Sequence, residues 1–150
     1  MGAPFILLVE DNPDDEELTL LSLRKRGIAH EVVVMRDGAE AIDFLLCTGR
    51  HAGRDPSVLP TFVLLDLKLP KLDGIAVLGR IRSNPHTRHV PVVVLTSSGQ
   101  ESDVLASYQA GANSYVRKPV EFGAYMEAVG SVGAYCAQFN CAATAGGAVA

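Results

Sequence analysis

The sequence predicts an α/β fold, a doubly wound parallel sheet of five strands with five helices, on three observations. Short apolar, β-branched runs alternate with stretches of helical periodicity along the whole chain. The runs at 62–65 and 90–95 are apolar without alternation, the pattern of strands buried on both faces. Four of the five runs end on residues able to do chemistry: Glu10-Asp11, Asp66, Thr96 and Lys118. Right-handed crossovers put every carboxyl end of such a sheet on one edge, so these residues should share a rim.

Taken in order, Phe5–Val9 is the first strand, and the acids after it suit the first turn of a helix beginning near Asp14 and capped by Asn12 or Asp14. Leu18, Leu20, Leu21 and Leu23 are expected on its buried face, with Lys25 and Arg26 at its end and Gly27 as its stop. Glu31–Met35 is the second strand. Asp37-Gly38 turns into a helix carrying Ala41, Ile42, Leu45 and Leu46. Residues 47–60 hold glycines, prolines and mixed charges without periodicity, a long connection for a compact domain. It is either a surface elaboration or an interaction loop.

The third strand, from Phe62, runs into Asp66, and Pro70 with Asp73-Gly74 leads to a helix marked by Ile75, Leu78 and Ile81. The fourth, 90–95, finishes in Thr96-Ser97-Ser98-Gly99, followed by a helix over 101–110 with Gly111 at its end. Ser114–Arg117 is the fifth strand, ended by Lys118-Pro119. A last helix spans 121–139. Residues 1–141 are therefore read as a single domain and 142–150 as a flexible Ala/Gly-rich tail.

Composition narrows the function. Of 150 residues, 48% are hydrophobic and 20% charged, which is globular, and no apolar run approaches the roughly 20 residues of a membrane span. Net charge is −4 with no basic stripe, which argues against direct nucleic-acid binding. Cys47, Cys136 and Cys141 are odd in number and lack metal spacing, and the first residues carry no basic leader, so a reducing cytoplasm is expected.

Carboxylates from Glu10, Asp11 and Asp66 gathered on one rim would repel one another, and a divalent cation relieves that. Ligands that are all oxygen select Mg²⁺ or a similar hard ion over zinc. Lys118 can neutralise a carboxylate or a phosphate, and Thr96 can donate a hydrogen bond to a phosphate oxygen. Together they suit phosphoryl transfer to Asp66, where catalysis is mostly positioning and charge neutralisation.

Leu8-Val9-Glu10-Asp11-Asn12, Leu65 to Pro70 with Asp73-Gly74, Val94-Leu95-Thr96-Ser97, Gly111 to Tyr115 and Lys118-Pro119 together make the chain resemble the receiver domains of two-component response regulators. The resemblance covers about 5–139 and implies the flavodoxin-like receiver fold. It implies Asp66 as phosphoacceptor, with Mg²⁺ held by Glu10, Asp11, Asp66 and the Lys68 carbonyl. Thr96 and Lys118 would contact the phosphoryl group, Tyr115 would be the aromatic switch, turning inward from solvent, and the Lys118–Pro119 bond would be cis. With its long 47–60 connection and no output domain, the chain looks most like the stand-alone regulators of bacterial phytochrome histidine kinases. It would then be no enzyme beyond its own phosphorylation and slow dephosphorylation.

Three alternatives differ on single features. An aspartyl phosphatase of the haloacid-dehalogenase type wants an aspartate where Lys68 stands, and an FMN carrier wants a hydroxyl-rich loop where Glu10 to Asp14 would repel its phosphate. A receiver-like interaction module without phosphorylation would not need the full acceptor set. Finally, the last helix has only Glu121 and Glu127 as charges. Tyr125, Val129, Val132 and Cys136 fall at the spacing that packs on a sheet, which leaves Phe122, Met126, Ala128 and Tyr135 outside. With Gly123, Gly130 and Gly133 weakening the helix, this predicts a homodimer through that surface.

Overall fold

The computed structural model describes residues 3–143, so most of the predicted tail, 144–150, lies outside the described residues. Five parallel strands, β1 (Phe5–Val9), β2 (Glu31–Met35), β3 (Phe62–Leu65), β4 (Val92–Thr96) and β5 (Ser114–Arg117), form one sheet in the order β2-β1-β3-β4-β5. The helices are α1 (Pro13–Lys25), α2 (Gly38–Leu46), α3 (Gly74–Ser83), α4 (Glu101–Gln109) and α5 (Phe122–Ala134). The fold class is the one the sequence predicts.

Strand side chains alternate between two cores. Leu7, Val9, Val63, Leu65 and Val92 face α2 and α3, meeting Ile42, Leu45, Val77, Leu78 and Ile81. Ile6, Leu8, Phe62, Leu64, Val93 and Leu95 face the other way, meeting Leu23 of α1 and Tyr125 and Val129 of α5. The chain leaves β1 in opposite directions, to β2 on one side and β3 on the other, so the crevice between the ends of β1 and β3 is the topological switch point where ligands bind.

Two helices differ from expectation, and so does one peptide bond. The face of α1 that is buried carries Thr19, Ser22 and Leu23, with Leu20 and Leu21 only half-buried. The reason is close helix packing: a Cβ on Gly133 would lie 2.4 Å from Leu23 Cδ2, and Thr19 Oγ1 shares a 2.9 Å hydrogen bond with the Tyr125 hydroxyl. Leucine is too large there. Gly130 and Gly133 thus admit α1 rather than marking a helix in want of a partner chain. The last helix also changes winding, ending α5 at Ala134 and continuing as one wider π-type turn, Tyr135–Phe139.

Lys118–Pro119 is trans, since no cis peptide occurs among the described residues. Trans is the ordinary ground state of such a bond, by about 0.5–1 kcal/mol. In this form the Lys118 amide already donates to the Thr96 carbonyl at 2.7 Å.

The 47–60 connection is tied down onto α2. The Arg54 guanidinium lies 3.7 Å over the Phe44 ring and donates to the carbonyls of Phe44 and Val58, while the Thr48 hydroxyl donates to Asp43 Oδ1 at 2.8 Å. At the far end of the sheet Arg82 performs a similar task. It donates to the carbonyls of Gly111, Arg88 and Val90 and to Asn113 Oδ1, and Asn113 Oδ1 also accepts from the Val92 amide. Arg82→Ala should therefore cost about 2–4 kcal/mol, from several carbonyls left without their donor. Urea denaturation measures it; an unchanged midpoint would contradict this role.

Candidate functional site

The rim above the β1–β3 crevice is built by local rules. Asn12 caps α1, its Oδ1 accepting from the amides of Asp14 and Asp15 at 2.9 and 3.1 Å, and Pro13 takes the first helical position, where no amide is needed. Glu10 and Asp11 therefore stand between strand and helix start. Glu10 is 1% exposed and Asp11 is exposed. Asp66 follows β3 directly, held by its own amide on the Val9 carbonyl at 3.1 Å and by the Lys68 amide donating to Oδ1 at 3.2 Å.

Behind Asp66 sits Gly74, at the start of α3. A Cβ there would lie 2.3 Å from the Asp66 carbonyl oxygen and 2.6 Å from Leu67 Cα. Only a glycine lets α3 come this close, and the approach fixes the backbone that carries the carboxylate.

Lys118 enters from the end of β5 and is 8% exposed. Its ammonium donates three hydrogen bonds, to Glu10 Oε1 at 2.7 Å, Asp15 Oδ2 at 2.8 Å and Asp66 Oδ2 at 2.9 Å. Burial alone pushes this ammonium's pKa down, but the hydrogen bonds to Asp15 and Glu10 and the charges of Asp66 and Glu10 outweigh it, and the net shift is upward. It stays charged. Burial raises Glu10 to about 7; Lys118 opposes that rise and the Asp66 charge adds to it.

The donor set fits a hard divalent cation. Glu10, Asp11 and Asp66 each offer an oxygen, and these oxygens lie within 4.8 Å of one another with no sulfur or nitrogen ligand among them. A cation there would favour the charged form of Glu10, which burial disfavours. Lys68 itself is an exposed residue on the loop after Asp66.

Two further predicted residues line the β4 end. Thr96 is fully buried, and its hydroxyl is a buried polar atom without a hydrogen-bond partner. Such an atom is costly to leave unpaired, and a phosphoryl oxygen beside Asp66 would satisfy it. Tyr115 is half-buried, its hydroxyl donating to the Ser98 carbonyl at 2.8 Å. This differs from the expected solvent-facing ring: the β4–α4 loop offers an acceptor that holds the ring partly in. The structure thus brings Glu10, Asp66 and Lys118 into direct contact, with Asp11 beside them and Lys68 touching through its amide. Asp15 was not anticipated. Its signal was present, an acid in the first turn of a helix that starts at the rim, but it was indistinguishable from its dipole-stabilising neighbours Asp14 and Glu16.

The model of the response regulator receiver domain matches residues 6–130. The chain belongs to that family. This receiver is 45% identical to the response regulator Rcp1 of Synechocystis sp. over 113 residues, 75% of each chain. It superposes on the phosphorylated cyanobacterial phytochrome response regulator RcpA with a TM-score of 0.86 at 35% identity, covering 94% of this receiver and 99% of that chain. The Mn²⁺-bound form of Rcp1 gives 0.85 at 37% identity, covering 93% and 98%. No helix among the described residues is long and apolar enough to cross a membrane.

Proposed function

We propose that this receiver takes a phosphoryl group from a sensor histidine kinase onto Asp66, with Mg²⁺ held by Glu10, Asp11, Asp66 and the Lys68 carbonyl, and so changes its interaction surface. The observation that carries the reading is the Lys118 ammonium on Asp66 Oδ2 beside a buried, unpartnered Thr96 hydroxyl. A metal there supplies charge neutralisation. The chain's own groups do the rest: Asp66 offers the nucleophilic oxygen, Lys118 moves with the developing charge, and Thr96 donates to a phosphoryl oxygen. Thr96 drawn toward that group frees space beside the β4–α4 loop, where Tyr115 is held through Ser98, and this couples the site to the α4–β5 face.

The kinase is proposed to be a bacterial phytochrome, supported by the phytochrome partnership named for RcpA. A cytoplasmic location, where such a kinase presents its phosphohistidine, is part of the same proposal. Incubation with the autophosphorylated kinase and Mg²⁺ should move label to this chain within minutes, as an acyl phosphate cleaved by hydroxylamine. Label that stays on the kinase, or resists hydroxylamine, contradicts the reading.

Homodimer formation through α5 and the π-type turn after it is proposed on a narrower basis than the sequence suggested. Phe122 at the start of α5, and Tyr135 and Phe139 in the turn after it, are large apolar side chains 56%, 58% and 74% exposed. Sedimentation at high concentration should show a dimer that Phe122→Glu or Phe139→Glu weakens at least tenfold, on the scale of losing one buried aromatic anchor. A wild-type monomer under all conditions would end the proposal.

A further inference from the structure

Lys118 has three donors and all three are spent on carboxylates, but only two of those carboxylates belong to the cation site. Glu10 and Asp66 both supply oxygens to the cluster that fits a divalent ion. Asp15 does not. It comes from the first turn of α1, its side chain is 31% exposed, and it grips the same ammonium at 2.8 Å. Its position is set independently of the site: the Asn12 cap fixes its backbone, and the start of a helix is where a carboxylate is electrostatically most at ease.

Lysine and a divalent cation compete for the same two carboxylates. An ammonium shared only between Glu10 and Asp66 would have to be left partly unpaired in a buried place whenever the cation took their oxygens. Asp15 removes that difficulty by giving the ammonium a partner outside the cation's ligand set. We propose that Asp15 is a positioning residue, acting through Lys118: it holds the ammonium at the edge of the crevice, so that Glu10 and Asp66 are released to the cation while Lys118 remains within reach of the group that Asp66 receives. The proposal rests on the reading of Glu10, Asp11 and Asp66 as the Mg²⁺ site.

The same geometry explains why Asp15 rather than Asp14 or Glu16 has this part. Neighbouring positions on a helix turn by about 100° each, so only one of three consecutive acids can face the rim. Asp14 is exposed, and Glu16 instead pairs with Arg36 through both of its oxygens, at 3.0 and 2.8 Å.

The test is Mg²⁺ titration by calorimetry, without any phosphodonor, of the wild type, Asp15→Asn, Lys118→Ala and the double variant, at physiological salt. Asp15→Asn keeps shape and helix start, and thermal melting establishes that it is folded. It should weaken Mg²⁺ binding about fivefold to tenfold in the wild-type background and at least threefold less in the Lys118→Ala background, the non-additivity expected of two groups acting as a unit. Equal losses in both backgrounds would mean that Asp15 acts only as a distant charge, and would overturn the proposal. A wild-type chain that binds no Mg²⁺ would overturn both this proposal and the reading it rests on, whereas equal losses in the two backgrounds beside normal wild-type binding would overturn this proposal alone.

Discussion

Lys118→Ala should leave a receiver that is less stable by roughly 3–5 kcal/mol near neutral pH, because it strips a buried ammonium from carboxylates that stay behind. Glu10 is 1% exposed and Asp66 8%, and among the described residues Lys118 is the cation that meets them. The deficit should depend on pH with a definite sign. Burial already raises Glu10 to about 7 from 4.5, and Lys118 is a cause that lowers it, so the variant's Glu10 moves further up. A carboxyl whose folded value is raised binds its proton more tightly when folded, so stability falls as pH rises through that window. Lys118→Ala should therefore regain stability on acidification from above 7 toward 5, where Glu10 is neutral. Mg²⁺ should bind the variant at least as well as the wild type, since a competing ammonium is gone, and should restore stability as its concentration passes the dissociation constant. Phosphorylation-dependent partner binding should nonetheless fail. Urea melts at several pH values, with and without Mg²⁺, check the stability and Mg²⁺ effects, and a partner-binding assay on the phosphorylated variant checks the last. A variant as stable as the wild type at neutral pH would refute the packing of charges described for this site.

Gly74→Ala should be the second large effect, from a single methyl group. The added Cβ would sit 2.3 Å from the Asp66 carbonyl oxygen, inside any real contact, and the opposing atoms are backbone that cannot swing away. Either α3 retreats from the sheet or the loop carrying Asp66 shifts. The expected cost is about 3 kcal/mol, typical of forcing atoms into a filled interior. Asp66 phosphorylation by a small donor should slow about a hundredfold, as for a reacting group misplaced by roughly an ångström. Gly79, with open space around it, is the control: Gly79→Ala should be neutral or mildly stabilising in its helix. Equal behaviour of the two variants would show that the close approach does not matter.

The fold was legible because its strands are unambiguous. Phe5–Val9 and Phe62–Leu65 are apolar runs too short for helices, and each stops at an acid that could only be tolerated at a strand end. Parallel topology then did the assembling, and Glu10, Asp66 and Lys118 meet with distances below 3 Å. What sequence periodicity could not resolve was whatever depends on side-chain size across an interface. Thr19 and Ser22, rather than Leu20 and Leu21, face α5 because glycines there draw the helices together. Gly74 read as a turn residue, although its use is to let backbone approach backbone. Asp15 was hidden for a related reason: four acids follow Pro13, and only the three-dimensional turn of the helix decides which one reaches Lys118.

The central claim is that Asp66 accepts the phosphoryl group and needs a divalent cation to do so. The measurement that tests it most directly is stoichiometric phosphorylation from a small phosphodonor, followed by intact mass and by peptide mapping after borohydride trapping, on wild type and Asp66→Asn, with Mg²⁺ and with chelator. The account predicts one phosphoryl group per chain, mapped to Asp66, in the wild type with Mg²⁺ alone, and none in the other three samples. Undiminished incorporation in Asp66→Asn, or in wild type with chelator, would contradict it.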